Sequence, residues 1–227
     1  VKPVSEHVGW GPVLRAPRVW ALVIVYTLGV YNMWLMAAWL PTYLVQGRGF
    51  SVAEMGWLGF LITGMALVGT VGGGWLSDML LHRGFSATIA RKRLSLVGMV
   101  VGAPLLVLAV SVESGRMCVI LLMGSRLLND FSLAGFMSLP TEMSPRHIGA
   151  IWGCMSTFGS LAGVAAATFA GYQVTATGNW ALPFYTSAGL IMIATVVMAV
   201  WVSPQPLFLE QPTKVHAIQP KPAGERV

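Results

Sequence analysis

Charged side chains are scarce in this sequence. Asp, Glu, Lys and Arg make up 10% of its 227 residues, as 8 acidic and 14 basic side chains. Soluble domains carry about 25%. With so few charges, a soluble fold of this size could not cover its own surface, so the water-soluble globular class is excluded. Cysteine is nearly missing too. Cys118 and Cys154 both fall inside apolar stretches. On the topology derived below they lie toward opposite membrane faces, so no disulfide is expected and no redox compartment is implied. Histidine is confined to His7, His82, His147 and His216, outside the apolar stretches or at their edges. An intramembrane serine protease needs Ser and His within the bilayer, and no His-Glu-x-x-His zinc motif occurs. No catalysis, metal or cofactor is therefore expected. Residues 1–17 contain no apolar core, so no signal peptide is read there. Val1 stands first instead of Met, and the chain is expected to be a fragment or a processed form.

Apolar surface is what the chain has in quantity. It is 56% hydrophobic with 26 glycines, and its mean hydropathy is +0.71. About 20 apolar residues cross the hydrocarbon core as a helix. Six stretches qualify: 19–45, 55–77, 94–112, 117–139, 148–174 and 181–202. Strands of a membrane barrel alternate polar and apolar residues, and these runs do not. The backbone must satisfy itself inside lipid, so the stretches read as helices. The expected fold is an all-α membrane protein with six transmembrane helices. Residues 1–18 form a cytoplasmic N-terminal segment, 19–202 the transmembrane domain, and 203–227 a disordered, Pro-rich cytoplasmic tail.

Orientation follows from Lys and Arg. One set of segments holds Lys2, Arg15, Arg18, Arg83, Arg91, Lys92, Arg93, Arg146, Lys214, Lys221 and Arg226; the opposite set holds Arg48 and Arg116. That 11-to-2 asymmetry places both termini in the cytoplasm, and an even number of spans requires both termini on one side. The same placement turns the net charge of +6 into a topology signal instead of a nucleic-acid patch. Three spans precede the short turn at 113–116 and three follow it, the second set starting from the opposite side. This permits the inverted 3+3 repeat of transporter halves.

Two segments carry motifs. After the second span the chain reads Gly72-Gly73-Gly74-Trp75-Leu76-Ser77-Asp78, followed by His82-Arg83-Gly84. Glycines let helices approach closely. Asp78 at a helix end can accept bonds from neighbouring amides or pair with Arg. After the fourth span comes Glu142-Met143-Ser144-Pro145-Arg146-His147-Ile148-Gly149. Together these resemble the two cytoplasmic signatures of the major facilitator superfamily, at the right ordinal spans. The resemblance implies that Gly74, Asp78, Arg83, Glu142 and Arg146 form a cytoplasmic gate, and that the chain is the C-terminal six-helix half of such a transporter.

A closer resemblance covers about residues 19–202. It is carried by Trp39-Leu40-Pro41-Thr42-Tyr43-Leu44, Arg48-Gly49-Phe50-Ser51, the Gly-Gly-Trp-Leu-Ser-Asp run, Arg83-Gly84-Phe85-Ser86, Ala90-Arg91-Lys92 and Ser156-Thr157-Phe158-Gly159-Ser160-Leu161-Ala162-Gly163. These are similar to the anion:cation symporter branch, with its galactonate, glucarate and phthalate permeases. The resemblance implies a multi-pass protein of the cell inner membrane that takes up a small organic anion with protons. Its partners would be lipid and a missing N-terminal six-helix half, which holds the branch's main proton-linked carboxylates.

Arg126 and Asp130 fall mid-span in the fourth helix, four residues apart on one face, and can pair. Ionisable residues at that depth face a cavity or a partner. They are either a substrate-anion or coupling site, or a structural pair, and Asn129 shares the choice. In the first span Thr27, Tyr31 and Trp34 share a face, with Asn32 beside them; they line the pathway or pack a neighbour. Trp152, Ser156 and Ser160 form a stripe on the fifth span that could meet substrate. Gly149-x3-Gly153 and Gly159-x3-Gly163 suit helix packing. The almost wholly apolar third and sixth spans suit peripheral, lipid-facing positions. A channel would need a filter-like run or charged ring, which the sequence lacks. The alternative function is a stand-alone half-size protein acting as a homodimer or assembly partner. The topology predicts that reporter fusions after Gln46 and after Arg83 land on opposite sides of the membrane; recovery of both on one side would overturn it.

Overall fold

Six long helices account for most of the chain. The computed structural model describes residues 11 and 15–202; the expected tail at 203–227 lies outside them, as does most of segment 1–18. The helices are α1 (Pro17–Thr42), α2 (Val52–His82), α3 (Leu94–Ser111), α4 (Gly115–Met137), α5 (Ile148–Thr177) and α6 (Leu182–Trp201). All six are long and apolar enough to cross a membrane. No strand occurs among the described residues.

Local chemistry sets the ends. Pro17 opens α1 at the position where a missing N–H costs nothing. Pro41 removes a donor near the other end, and the chain widens into a π turn over Tyr43–Gly47. Gly49 takes a positive φ of 74°, which turns the chain into α2. Ser51 and Glu54 then form a reciprocal capping box, with Ser51 N–H on Glu54 Oε2 at 2.9 Å and Glu54 N–H on Ser51 Oγ at 3.2 Å. Gly178, with φ of 68°, closes α5 in the left-handed region.

The expected bounds need correction on the basic face. The segment 78–93 is not one polar loop: α2 runs to His82, and a π turn over Thr88–Arg93 leads into α3. At 31 residues α2 is about 46 Å long against a hydrocarbon core of about 30 Å. Its end past Asp78 therefore stays helical beyond the length the lipid requires.

Apart from α3 and α4, neighbours in sequence are not the main neighbours in space. The principal packing pairs are α1 with α5 and α6, α4 with α2 and α3, and α3 with α6. Exchanging the first three helices for the last three maps this set of pairs onto itself. That is the pattern of a 3+3 repeat with interleaved halves.

The two equivalent contacts are built differently. Against α4, the backbone of α2 comes so close that a Cβ on Gly69 or Gly73 would run into the carbonyl oxygens of Leu127 and Phe131. Gly98 and Gly102 of α3 do the same from the other side, against Ser132 and Asn129. Against α1, α5 offers glycine hollows that receive rings: Tyr26 sits on Gly159 and Trp34 on Gly163. Trp39 adds a hydrogen bond from Nε1 to the Ala167 carbonyl at 3.1 Å. Gly149 and Gly153 face open space, so the first of the two glycine pairs in α5 packs nothing.

The expectation that the third and sixth spans are peripheral holds for one face of each. Val97, Val100, Val107 and Leu108 of α3 are exposed, as are Ile193, Val196 and Val200 of α6. Their other faces are buried, and 44% and 39% of their most apolar windows lie inside the bundle, against 11% for α2. The second span is thus the least covered helix of the six.

Close packing through Gly73 gives a prediction. Gly73→Val should lower the thermal stability of the detergent-solubilised protein sharply, since overpacking at a backbone contact costs about 1–3 kcal/mol or more. Gly72→Ala, one residue away over open space, should be neutral or slightly stabilising through helix propensity. Equal loss in both variants, read by a thiol-dye melting assay, would contradict the packing described.

Candidate functional site

Arg126 stands at the centre of the 23-residue helix α4. Its Nη2 donates to Asp130 Oδ1 at 3.3 Å. Its Nε lies 2.7 Å from Oδ2, but the N–H is not aimed along that line, so this closer contact is ionic in character. The two side chains keep 12% and 11% of their surface exposed. The pair is overall neutral, which is how two charges persist at this depth.

That remaining exposure opens on a recess. It is lined by Tyr26, Gly29, Asn32 and Met33 of α1, Met99 of α3, Ile191 of α6, and Arg126, Asn129, Asp130, Leu133 and Phe136 of α4. Four sequence-predicted residues thus meet: Asn32, Arg126, Asn129 and Asp130. Two of them also hold the walls. Buried Asn32 accepts from Ser187 Oγ of α6 at 2.9 Å. Asn129 Nδ2 donates to the Ser125 carbonyl at 2.8 Å, and Ser125 Oγ donates to the Gly102 carbonyl of α3 at 2.8 Å. The recess leaves about 70 Å³ for water-sized occupants. Pockets that enclose organic ligands hold about 300–1,000 Å³, so this recess by itself does not enclose one.

The other candidates on α1 and α5 lie elsewhere. Thr27 bonds its own helix through the Val23 carbonyl at 2.7 Å. Tyr31 is buried beside a shallow groove with Ala165, Thr168, Phe169 and Tyr172 of α5. Trp34 lies over Gly163. The face shared by these three therefore turns toward α5 and away from Arg126. Trp152 packs edge-on against Tyr26 at 5.9 Å, while Ser156 and Ser160 are exposed. The residue that sequence reasoning missed is Tyr26. A tyrosine inside an apolar run has no motif to mark it; only its three-dimensional neighbours do.

On the basic face, the five expected gate residues do not form one cluster. Asp78 and Arg83 are exposed, and Asp78 pairs with no described cation. Gly74 has the Ala134 methyl 4.0 Å from where its own Cβ would stand. Arg146 is exposed. Glu142 does form an ion pair, at 2.6 Å, but with Arg91, which lay outside the expected set. The same guanidinium reaches the Ser138 carbonyl at the end of α4, at 3.3 Å. Lys92 reaches the Ala199 carbonyl near the end of α6, at 2.9 Å. On the opposite face Arg48 donates to the carbonyls of Val112, Val110 and Ala109 at 2.6, 2.9 and 3.2 Å, and to Tyr43 Oη at 2.7 Å. Three cations thus satisfy the open carbonyls at three helix C-termini.

Comparison with known proteins agrees with this architecture. No family model matches the chain. It is 30% identical over 196 residues to the sodium-dependent phosphate transport protein 1, chloroplastic, of Arabidopsis thaliana, a match that takes in 86% of this chain and 38% of that protein. It is 32% identical over 165 residues to the probable galactarate/D-glucarate transporter of Bacillus subtilis, covering 71% of this chain and 36% of that protein. The chain therefore spans well under half the length of these curated relatives. Among solved structures, a bacterial homologue of the human lysosomal transporter Spinster, inward-facing and unoccupied, superposes with a TM-score of 0.60 at 17% identity, over 90% of this chain and 50% of that one. Relatives and fold agree that the chain belongs to the major facilitator superfamily, as one six-helix half similar to its anion transporters.

Proposed function

We propose that this half forms one wall of a secondary active transporter that takes up a small organic anion with protons by alternating access. The carrying observation is Arg126 with Asp130, a guanidinium and a carboxylate at mid-span opening on a recess. A guanidinium is always charged, and its planar fork suits carboxylates and phosphates. Asp130 holds it while the site is empty. An incoming anion competes with Asp130 for the same donors, and the displaced carboxylate is then the group a proton would neutralise. The names of the relatives support an anion as cargo.

The second wall is a further six-helix half. The sparse burial of α2 and the small volume of the recess support this partner, because transporters of this build bind substrate between two repeats and rock one against the other. Ser156 and Ser160, exposed on α5, would face the same cavity. The Arg91–Glu142 pair, with Gly74, Asp78, Arg83 and Arg146 on the same face, would act as the cytoplasmic gate. The basic asymmetry supports an inner-membrane protein with both termini in the cytoplasm.

Two outcomes follow. In the complete two-half protein, Arg126→Gln should abolish uptake of D-glucarate or phosphate by at least 100-fold while membrane insertion stays normal. Arg126→Gln with Asp130→Asn should insert at least as well, since no charge is left unpaired, and should stay inactive. Normal transport by the double variant would make the pair structural and end this reading. The chain reconstituted alone should show no saturable uptake of either anion; saturable uptake would favour a homodimer of this chain instead.

A further inference from the structure

Most polar atoms around the Arg126 recess are already engaged. Asn129 Nδ2 is held by Ser125, Ser132 Oγ donates to the Leu128 carbonyl at 2.9 Å, and Asn32 Oδ1 is taken by Ser187. Tyr26, like the Asn32 amide nitrogen, makes no such bond. Its side chain lines the recess, and its hydroxyl is neither hydrogen-bonded to a described residue nor sealed from open space. Arg126 contributes a similar opening, because Asp130 accepts a hydrogen bond from Nη2 alone, lies against Nε in ionic contact, and leaves Nη1.

The ring that carries this hydroxyl is tightly placed. Phe136 stacks on it at 6.5 Å and 12°. Trp152 meets it edge-on at 5.9 Å and 82°. Gly159 supplies the floor: a Cβ there would stand 2.7 Å from Tyr26 Cε1. Three helices, α4 and α5 around α1, thus clamp one aromatic ring whose polar end is left without a protein acceptor. Phenylalanine would satisfy the packing equally well. The hydroxyl is the part the packing does not explain.

We propose that Tyr26 is the second anion-binding group of the recess, and that its phenol O–H donates to the same oxyanion that Arg126 attracts. The inference rests on the reading of Arg126 as the anion site. The chemistry it fits is a carboxylate or phosphate oxygen. Such an anion has more lone pairs than one guanidinium edge can satisfy, and a neutral donor adds a bond without adding a charge to the membrane interior. Clamping matters because a ring already fixed loses little freedom on binding. In the same way, the clamp makes the hydroxyl directional: it selects for an oxygen that lies within reach of both α1 and α4.

Kinetics of D-glucarate and inorganic phosphate uptake by the complete two-half protein test this. Tyr26→Phe keeps the ring and its packing. It should raise the half-saturation concentration of the carried anion by about 10- to 100-fold, the loss expected for one hydrogen bond to a charged group, with the maximal rate within about twofold. The two anions show which oxyanion chemistry the site takes. Gly159→Ala should shift the ring and give a similar rise, but no further rise in a Tyr26→Ala background, where the space is free. An unchanged half-saturation concentration in Tyr26→Phe overturns the proposal; additive effects of Gly159→Ala and Tyr26→Ala overturn the clamp. Loss of uptake in Arg126→Gln with normal Tyr26→Phe kinetics removes the tyrosine and leaves the arginine site standing. Normal uptake in Arg126→Gln removes the arginine site, and uptake of neither anion by the unaltered protein removes both.

Discussion

Gly69 and Gly73 bring the backbone of α2 against α4 at Leu127 and Phe131, and Gly98 and Gly102 bring α3 against its other side. Lipid offers no hydrophobic drive for helices to associate, so shape and short-range contact must hold them. With both flanks occupied by backbone, α4 has little freedom to rotate about its axis. Its remaining face is the one that carries Arg126 and Asp130, with Asn129 at its border with α3. The depth and the aim of the ion pair are thus consequences of hydrogen atoms where four side chains would be. Ser125 and Asn129 add direction to this contact, since their bonds join α4 to the Gly102 carbonyl of α3 and to each other.

The two ends of the bundle answer a different constraint. Each helix finishes with carbonyls that its own turns cannot reach. Here Arg48, Arg91 and Lys92 supply the missing donors to α3, α4 and α6. These are residues that positional statistics treat as markers of sidedness. In the folded chain they also fasten the ends of helices that come from separate parts of the sequence, 107 residues apart for Lys92 and Ala199. Arg91 does both at once, holding the α4 terminus and the Glu142 carboxylate.

Much of the fold was legible beforehand because a membrane span is a property of composition over about 20 residues, and α1 to α6 each satisfy it. The i, i+4 spacing of Arg126 and Asp130 likewise names its own partner. The helix ends were less legible. Residues 78–82 are bracketed by Asp78 and His82, and 88–93 end on Arg91, Lys92 and Arg93, so both read as loop, yet a helix outside the hydrocarbon needs no unbroken apolar run to persist. Helix partners were not legible at all from hydropathy, since α1 meets α5 across more than a hundred residues and nothing in either run says so. Tyr26 stayed hidden for the same reason: its importance lies in Phe136, Trp152 and Gly159, none of them close to it in sequence. Thr27, Tyr31 and Trp34 show the converse, a shared face that was visible early but turns toward α5.

Arg48 bears on how the molecule is made. It follows α1 in the chain, and every carbonyl it grips belongs to the end of α3 or the turn just beyond. During synthesis those acceptors emerge more than sixty residues later. Until then the guanidinium has only water and the Tyr43 hydroxyl of its own turn. Closing this contact is therefore an event of biogenesis that waits for the third span.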